Sequence, residues 1–266
     1  MPQERWQPSV RESRYDRRRE RLPRLFSEGD SWFDYPPHPN IIDYIDDSER
    51  WAIKRFERSG EWLKEMIPSL PRVLAALEQE RPLCLLLSGG GNDVADKNVA
   101  PTLFRQFQNG LGAPELLNRP VWNAKLAEIE ANFLLYMDAV NEFVPLVVHG
   151  YDYLVPSPRG AKYDGFRVSG PWLQPAMRDC GITNEQLQRE IGHLLIEEFN
   201  EMLAGLQRKY PLHFIYVNLR GMFTPNNWAN EIHLNRSSFR RVANVFMDVI
   251  DNRLPDVLRA RQEAGL

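Results

Sequence analysis

Apolar residues recur along the chain in two rhythms. Five short apolar runs bounded by turn residues, at Leu22–Ser27, Trp51–Phe56, Pro82–Ser88, Phe143–His149 and His213–Asn218, predict strands. Between them the spacing turns helical. Glu61–Glu80 carries Trp62, Met66, Leu70, Leu74 and Leu77 on one face, with Pro68 and Pro71 predicting a break or kink. Pro120–Glu142, Asn184–Tyr210 and Ser237–Arg253 predict longer amphipathic helices.

Strands that alternate with helices predict a parallel sheet, because parallel neighbours need crossover connections that cover both faces. The expected architecture is an α/β fold, a three-layer α/β/α sandwich with about five strands, filling residues 22–266 as one domain. Two connections are longer than usual, Asp93–Arg119 and the Pro- and Gly-rich Gly150–Thr183, and are expected to form rim loops. No repeat is visible.

Composition adds little to this picture and removes some alternatives. Of 266 residues 43% are hydrophobic and 26% charged, enough to bury a substantial core. Lys plus Arg number 33 against 36 Asp plus Glu, so the net charge of -3 argues against nucleic acid as a partner. Eight arginines nevertheless crowd residues 1–21 and Arg24, mixed with acids, which reads as a solvated N-terminal arm rather than a polyanion-binding tail. No apolar stretch resembles a signal peptide or a membrane span, and Cys84 and Cys180 suggest no disulfide framework, so a cytoplasmic protein is expected.

In an open parallel sheet, ligands bind beyond the carboxyl ends of the strands. The residues there are Gly29-Asp30-Ser31-Trp32, Ser59-Gly60, Gly89-Gly90-Gly91-Asn92-Asp93, His149-Gly150-Tyr151-Asp152 and Trp228-Ala229-Asn230-Glu231-Ile232-His233. A hydroxyl becomes a nucleophile only beside a base, and a tetrahedral intermediate needs donors aimed at its oxyanion. Ser31 is the candidate hydroxyl and His233 the candidate base. The backbone N–H groups of Ser31 and Gly60 and the amide of Asn92 are the candidate oxyanion donors.

Read together, these segments resemble the SGNH or GDSL-type hydrolases, whose four blocks carry Ser, Gly, Asn and His in this order. Gly29-Asp30-Ser31 is similar to the first block, with Trp32 in place of Leu, and Ser59-Gly60-Glu61 to the second. Gly90-Gly91-Asn92-Asp93 fits the third, and Asn230-Glu231-Ile232-His233 the fourth. The resemblance covers most of the chain. It implies a flavodoxin-like fold and hydrolysis of a carboxylic ester, a thioester or an O-acyl sugar, with a small acylated molecule as partner and no cofactor or metal. One position departs: Asn230 stands where the family has Asp, which leaves the third triad member open between Asn230, Glu231 and a backbone carbonyl.

Each feature also has a plainer reading. Ser after a strand usually caps a turn or helix, and the Gly-rich turn lacks the final Gly of a dinucleotide fingerprint because Val94 occupies that place. His193 reads as core or boundary, and His38 and His213 as structural or surface positions. His149, with Asp152, Trp32 and Tyr151, is expected to line the substrate cleft, and a metal there lacks obvious further ligands. Without a Gly-x-Ser-x-Gly elbow the chain is not expected to be an α/β-hydrolase. The readings carried forward are a serine esterase whose activity rises as His233 titrates near about 6.5, a weakened family member that only binds its ligand, and an acyltransferase using the same residues.

Overall fold

The computed structural model describes residues 4–36, 39–163 and 166–266. Its central sheet holds five parallel strands, β1 (Arg24–Gly29), β2 (Ala52–Arg55), β3 (Leu85–Ser88), β4 (Leu146–His149) and β7 (Phe214–Val217), in the order β2-β1-β3-β4-β7. Every predicted strand is present; four are trimmed by one to three residues at their ends, and β1 starts two residues later than expected and runs two residues further, to Gly29. The order reverses between β1 and β3, with Gly29 opposite Ser88, so the crevice where ligands collect lies beyond these two strands. Strands covered on both faces must be apolar throughout, and β3, β4 and β7 are buried at every position.

Eleven helices surround the sheet among the described residues: α1 (Pro8–Arg18), α2 (Ile41–Asp47), α3 (Leu63–Met66), α4 (Leu70–Glu80), α5 (Gly91–Ala95), α6 (Ala113–Leu116), α7 (Arg119–Val140), α8 (Leu173–Asp179), α9 (Glu185–Lys209), α10 (Arg236–Asn252) and α11 (Leu254–Glu263). α7 packs between α4 and α9 on one side of the sheet, and α2 packs on α10 on the other, which makes the three layers. The segment expected to be kinked at its prolines is two helices, α3 and α4, joined by a tight turn at Ile67–Ser69. The long Gly150–Thr183 connection holds α8 and a small antiparallel hairpin, β5 (Ala161–Tyr163) with β6 (Phe166–Ser169). Its strands are too short and too polar to register as an alternating run.

Of the arginines read as a solvated arm, Arg5, Arg17, Arg19 and Arg21 are exposed, but Arg11, Arg14 and Arg18 are part-buried in ion pairs. α1 packs against β2, the edge strand, and so covers backbone that would otherwise invite another strand. Arg11 pairs with Asp34 at 3.0 Å and Asp43 at 3.3 Å, Arg14 with Asp46 at 2.8 Å and Asp47 at 3.0 Å, and Arg18 with Asp46 at 3.0 Å and Glu49 at 2.9 Å. The neutralising acids lie before, on and after α2, 23 to 33 residues downstream, where inspection of the local charge run does not find them.

One buried acid gives the fold a pH dependence. Glu28, on β1, is 1% exposed, its Oε2 has no hydrogen-bond partner among the described residues, and burial pushes its carboxyl up to about 9. The folded state therefore holds a proton that the unfolded chain releases near the ordinary carboxylate value. The stabilisation is complete below that value and is lost as pH rises towards 9, by up to about 1.4 kcal/mol per pH unit. Glu28→Gln keeps the neutral shape, so its Tm is expected to fall less than that of the wild type between pH 6 and 9. Parallel Tm curves would contradict this.

Candidate functional site

Ser31 follows β1 on a turn that the neighbouring residues fix. Gly29 approaches the β3 backbone so closely that a Cβ there would lie 2.7 Å from the Ser88 carbonyl oxygen. Asp30 then braces the turn: its Oδ1 accepts from the Trp32 backbone N–H at 2.9 Å and the Ser88 hydroxyl at 2.7 Å, and its Oδ2 from the Tyr151 hydroxyl at 3.1 Å. Ser31 is left at the crevice with a hydroxyl 2.8 Å from Nε2 of His233, 202 residues later in the chain. The two ends of the sequence meet at one rim of the sheet.

His233 sits on the loop between β7 and α10, closed by backbone bonding between Ala229 and His233 at 2.9 Å and tied to Ser31's own turn by the Trp32 indole N–H donating to the Ile232 carbonyl at 3.2 Å. Asn230 orients the imidazole. Its Oδ1 accepts from the backbone N–H groups of Ile232 at 3.1 Å and His233 at 2.9 Å, while its Nδ2 donates to the Tyr35 hydroxyl at 2.9 Å. These partners fix which end of the amide faces the ring, so the contact at 3.1 Å is between Asn230 Oδ1 and His233 Nδ1. An acceptor there places the hydrogen on Nδ1 and the lone pair on Nε2, the tautomer able to take the proton of Ser31.

Tyr35 stacks on the imidazole at 4.1 Å between ring centroids, and Trp172 meets it edge-on at 5.4 Å. The sequence reading missed Tyr35, whose only signal is its place one turn beyond Ser31. This enclosure leaves His233 3% exposed, and burial pulls its pKa down to about 3 rather than leaving it near the free imidazole value.

Glu231 is turned away from His233. Its carboxylate accepts the backbone N–H groups of Trp172, Leu173 (3.0 Å) and Gln174 (2.7 Å), capping the start of α8, and burial raises its pKa to about 7 against those bonds. Alternation along the loop explains this, since its neighbour Asn230 faces the ring. The alternative third member is therefore occupied elsewhere.

The residues carrying the other candidate donors border the same cavity as the hydroxyl. Asn92 Nδ2 donates one hydrogen to the Glu61 carbonyl at 3.0 Å, and Asp93 accepts the Leu63 backbone N–H at 2.8 Å, so the turn after β3 holds the turn after β2. That second turn carries Gly60 at φ +81°, the left-handed region that glycine tolerates. Ser31, Gly60 and Asn92 line one cavity together with His233. Among the described residues the backbone N–H groups of Ser31 and Gly60 donate to no backbone carbonyl, and the amide of Asn92 has a second hydrogen to offer.

Two cavities meet at Ser31. The larger, about 370 Å³, lies on the His233 side between Tyr35, Trp62, Lys97 and Trp172. The smaller, about 70 Å³, runs inward past Trp32, Tyr151 and Asp152 to Trp122 and Phe199. His149, expected in the cleft, is instead fully buried behind Trp32, its ring stacked on the indole at 5.1 Å. Its Nδ1 donates to the Gly150 carbonyl at 2.7 Å and its Nε2 lies 2.8 Å from the Ser88 hydroxyl. Asp152 accepts the backbone N–H groups of Tyr153, Gly221 and Phe223, each at 2.7 Å, and joins the loops after β4 and β7. Neither side chain is free to bind a metal, and no group of three or more His, Cys, Asp or Glu suited to a metal occurs among the described residues.

Of the remaining histidines, His193 is exposed and stacks on Tyr153 at 3.9 Å rather than lying in the core, and His213 sits beside Arg261 at 3.0 Å. His38 lies outside the described residues. Both cysteines are free and buried, and no helix among the described residues is long and apolar enough to cross a membrane.

No protein-family model matches the chain, and no curated protein matches it significantly in sequence. Solved structures do. A lipase from a goat rumen metagenome aligns over 88% of this chain and 100% of its own, with a TM-score of 0.58 at 11% identity. A member of the lipolytic G-D-S-L family from Veillonella parvula aligns over 87% and 100%, with a TM-score of 0.52 at 10% identity. An extracellular lipase from Streptomyces rimosus aligns over 85% and 99%, with a TM-score of 0.50 at 13% identity. The chain has the α/β/α fold of these proteins.

Proposed function

We propose, from this shared fold and the four motif blocks placed in order around one crevice, that the chain is a serine hydrolase of the SGNH, GDSL-type kind. It cleaves a carboxylic ester, a thioester or an O-acyl group through an acyl-enzyme on Ser31. The observation that carries this reading is the 2.8 Å contact between Ser31 Oγ and His233 Nε2, with His233 in the tautomer that accepts. Ser31 Oγ attacks the acyl carbon while His233 Nε2 takes its proton. The resulting oxyanion is met by the N–H groups of Ser31 and Gly60 and by the amide of Asn92. Collapse breaks the bond to the leaving oxygen, which receives the proton from Nε2, and water repeats the sequence to release the acid.

Asn230 weakens this machinery without dismantling it. The amide holds the ring but adds no negative charge to stabilise the imidazolium that forms. A ligand-binding protein would not need the Nδ1–H tautomer, so the oriented ring supports catalysis over binding alone. Acyl transfer to an acceptor other than water would use the same residues.

Ester hydrolysis is expected to vanish in Ser31→Ala. In the wild type, kcat/KM should reach its plateau at low pH, because the base is protonated only below about 3. The acid limb is thus moved down from the value near 6.5 that an unperturbed imidazole would give. Full activity in Ser31→Ala overturns the proposal, and an acid limb at 6 to 7 contradicts a desolvated base.

A further inference from the structure

The two cavities at Ser31 have different walls, and the position of the base assigns each a part of the substrate. When the acyl–oxygen bond breaks, the departing oxygen must lie within reach of His233 Nε2 to take the proton. His233 lines the larger cavity and not the smaller. The leaving group therefore belongs in the larger cavity, among Trp62, Lys97 and Trp172, and the acyl chain has only the smaller one to enter.

The smaller cavity is apolar along Val94, Leu154, Leu195, Ile196 and Phe199. The carboxylate oxygens of its two acidic wall residues already accept hydrogen bonds from the protein. Asp30 is bonded to Trp32, Ser88 and Tyr151, and Asp152 to three backbone N–H groups. A charged or hydroxylated acyl chain would find no partner there and would lose its hydration. Size sets the second limit. A cavity of about 150 Å³ accommodates benzene, so about 70 Å³ has room for roughly three carbons. The back of the cavity cannot give way easily, because the Trp122 ring is 1% exposed and pinned by its N–H donating to Glu198 at 2.7 Å.

We propose that the substrate is an ester of a short, uncharged acyl group of about two to four carbons, lodged in the cavity under Trp32, with a larger polar leaving group on the His233 side. This rests on the serine-hydrolase reading and narrows it. Long fatty acyl chains exceed the room of about 70 Å³ that this cavity offers, and the half-buried Val94 stands on its wall.

The test is kcat/KM for p-nitrophenyl esters of two to twelve carbons, with labelling of Ser31 by a small fluorophosphonate measured alongside. The wild type is expected to peak at two to four carbons and to fall at least tenfold by eight. Ile196→Ala, which lengthens the cavity, should move the peak to longer chains. Val94→Phe, which narrows it at a site that tolerates bulk better, should depress four carbons more than two. Should Ile196→Ala fold poorly, Val94→Phe alone decides. A labelled Ser31 with a peak at eight carbons or more, or with a length profile that neither folded variant moves, overturns the assignment and leaves the hydrolase reading standing. Neither labelling nor hydrolysis of any ester overturns both.

Discussion

His233→Gln is expected to lower kcat for a short-chain ester by about 10³-fold while leaving the protein folded. Glutamine preserves the volume between Tyr35 and Trp172 and can still bond to Ser31, but it cannot take the proton that attack releases. In serine proteases, loss of the histidine costs about 10⁶ and loss of the carboxylate behind it about 10⁴. This chain already lacks that carboxylate, so the baseline is lower and the remaining loss smaller. Because Asn230 secures the right tautomer, more of the serine–histidine contribution should survive here than in a triad disrupted by the same exchange. The measurement is kcat at saturating ester with Tm as a control for folding. Activity within threefold of the wild type would remove His233 from the mechanism.

Asn230→Asp is expected to raise kcat by about 10- to 100-fold. A carboxylate at the 3.1 Å position would face the imidazolium with a full charge instead of an amide dipole. At an effective dielectric constant near 20 and about 5 Å between charge centres, the attraction is about 3 kcal/mol, from which desolvation of the new carboxylate must be subtracted. The backbone N–H groups of Ile232 and His233 remain as donors to it, and the Tyr35 hydroxyl, which now accepts, can rotate to donate. The same charge favours the protonated ring, so the acid limb of kcat/KM should move upward from about 3 as the rate rises. The sign follows from His233 being inactive when protonated: activity at pH 3 should fall in the variant even as activity at pH 7 increases. A variant with unchanged kcat and an unmoved limb would mean that Asn230 does not face the base.

The hydrophobic rhythm carried most of the fold because the strands of the parallel sheet are built around short apolar runs and each main helix is longer than three turns. The hairpin at Ala161–Ser169 escaped because neither rhythm operates over three or four residues with charged side chains. α1 was misread for a different reason. Its charges are balanced by Asp43, Asp46 and Asp47, and a contact between distant segments leaves no periodic trace. At the site, strand ends placed Ser31, Gly60, Asn92 and His233 at one rim because topology, not local sequence, decides which loops converge. The orientation of neighbouring side chains was beyond reach: nothing in Asn230-Glu231 says which one turns to the ring. His149 illustrates the same limit, since a position at the end of β4 does not reveal that Trp32 would cover it. Glu28, an acid inside the sheet, lies just past the apolar run Leu22–Ser27 and was not singled out, because its raised pKa comes from burial that only the packed structure supplies.

The most direct measurement is covalent labelling by a fluorophosphonate followed by peptide mapping, in the wild type and in His233→Gln. A serine activated by a neutral imidazole should carry the phosphonyl group on the peptide containing Ser31, at a rate that falls at least a hundredfold without the histidine. Modification elsewhere, or equal labelling in both proteins, would contradict a nucleophile at Ser31 driven by His233.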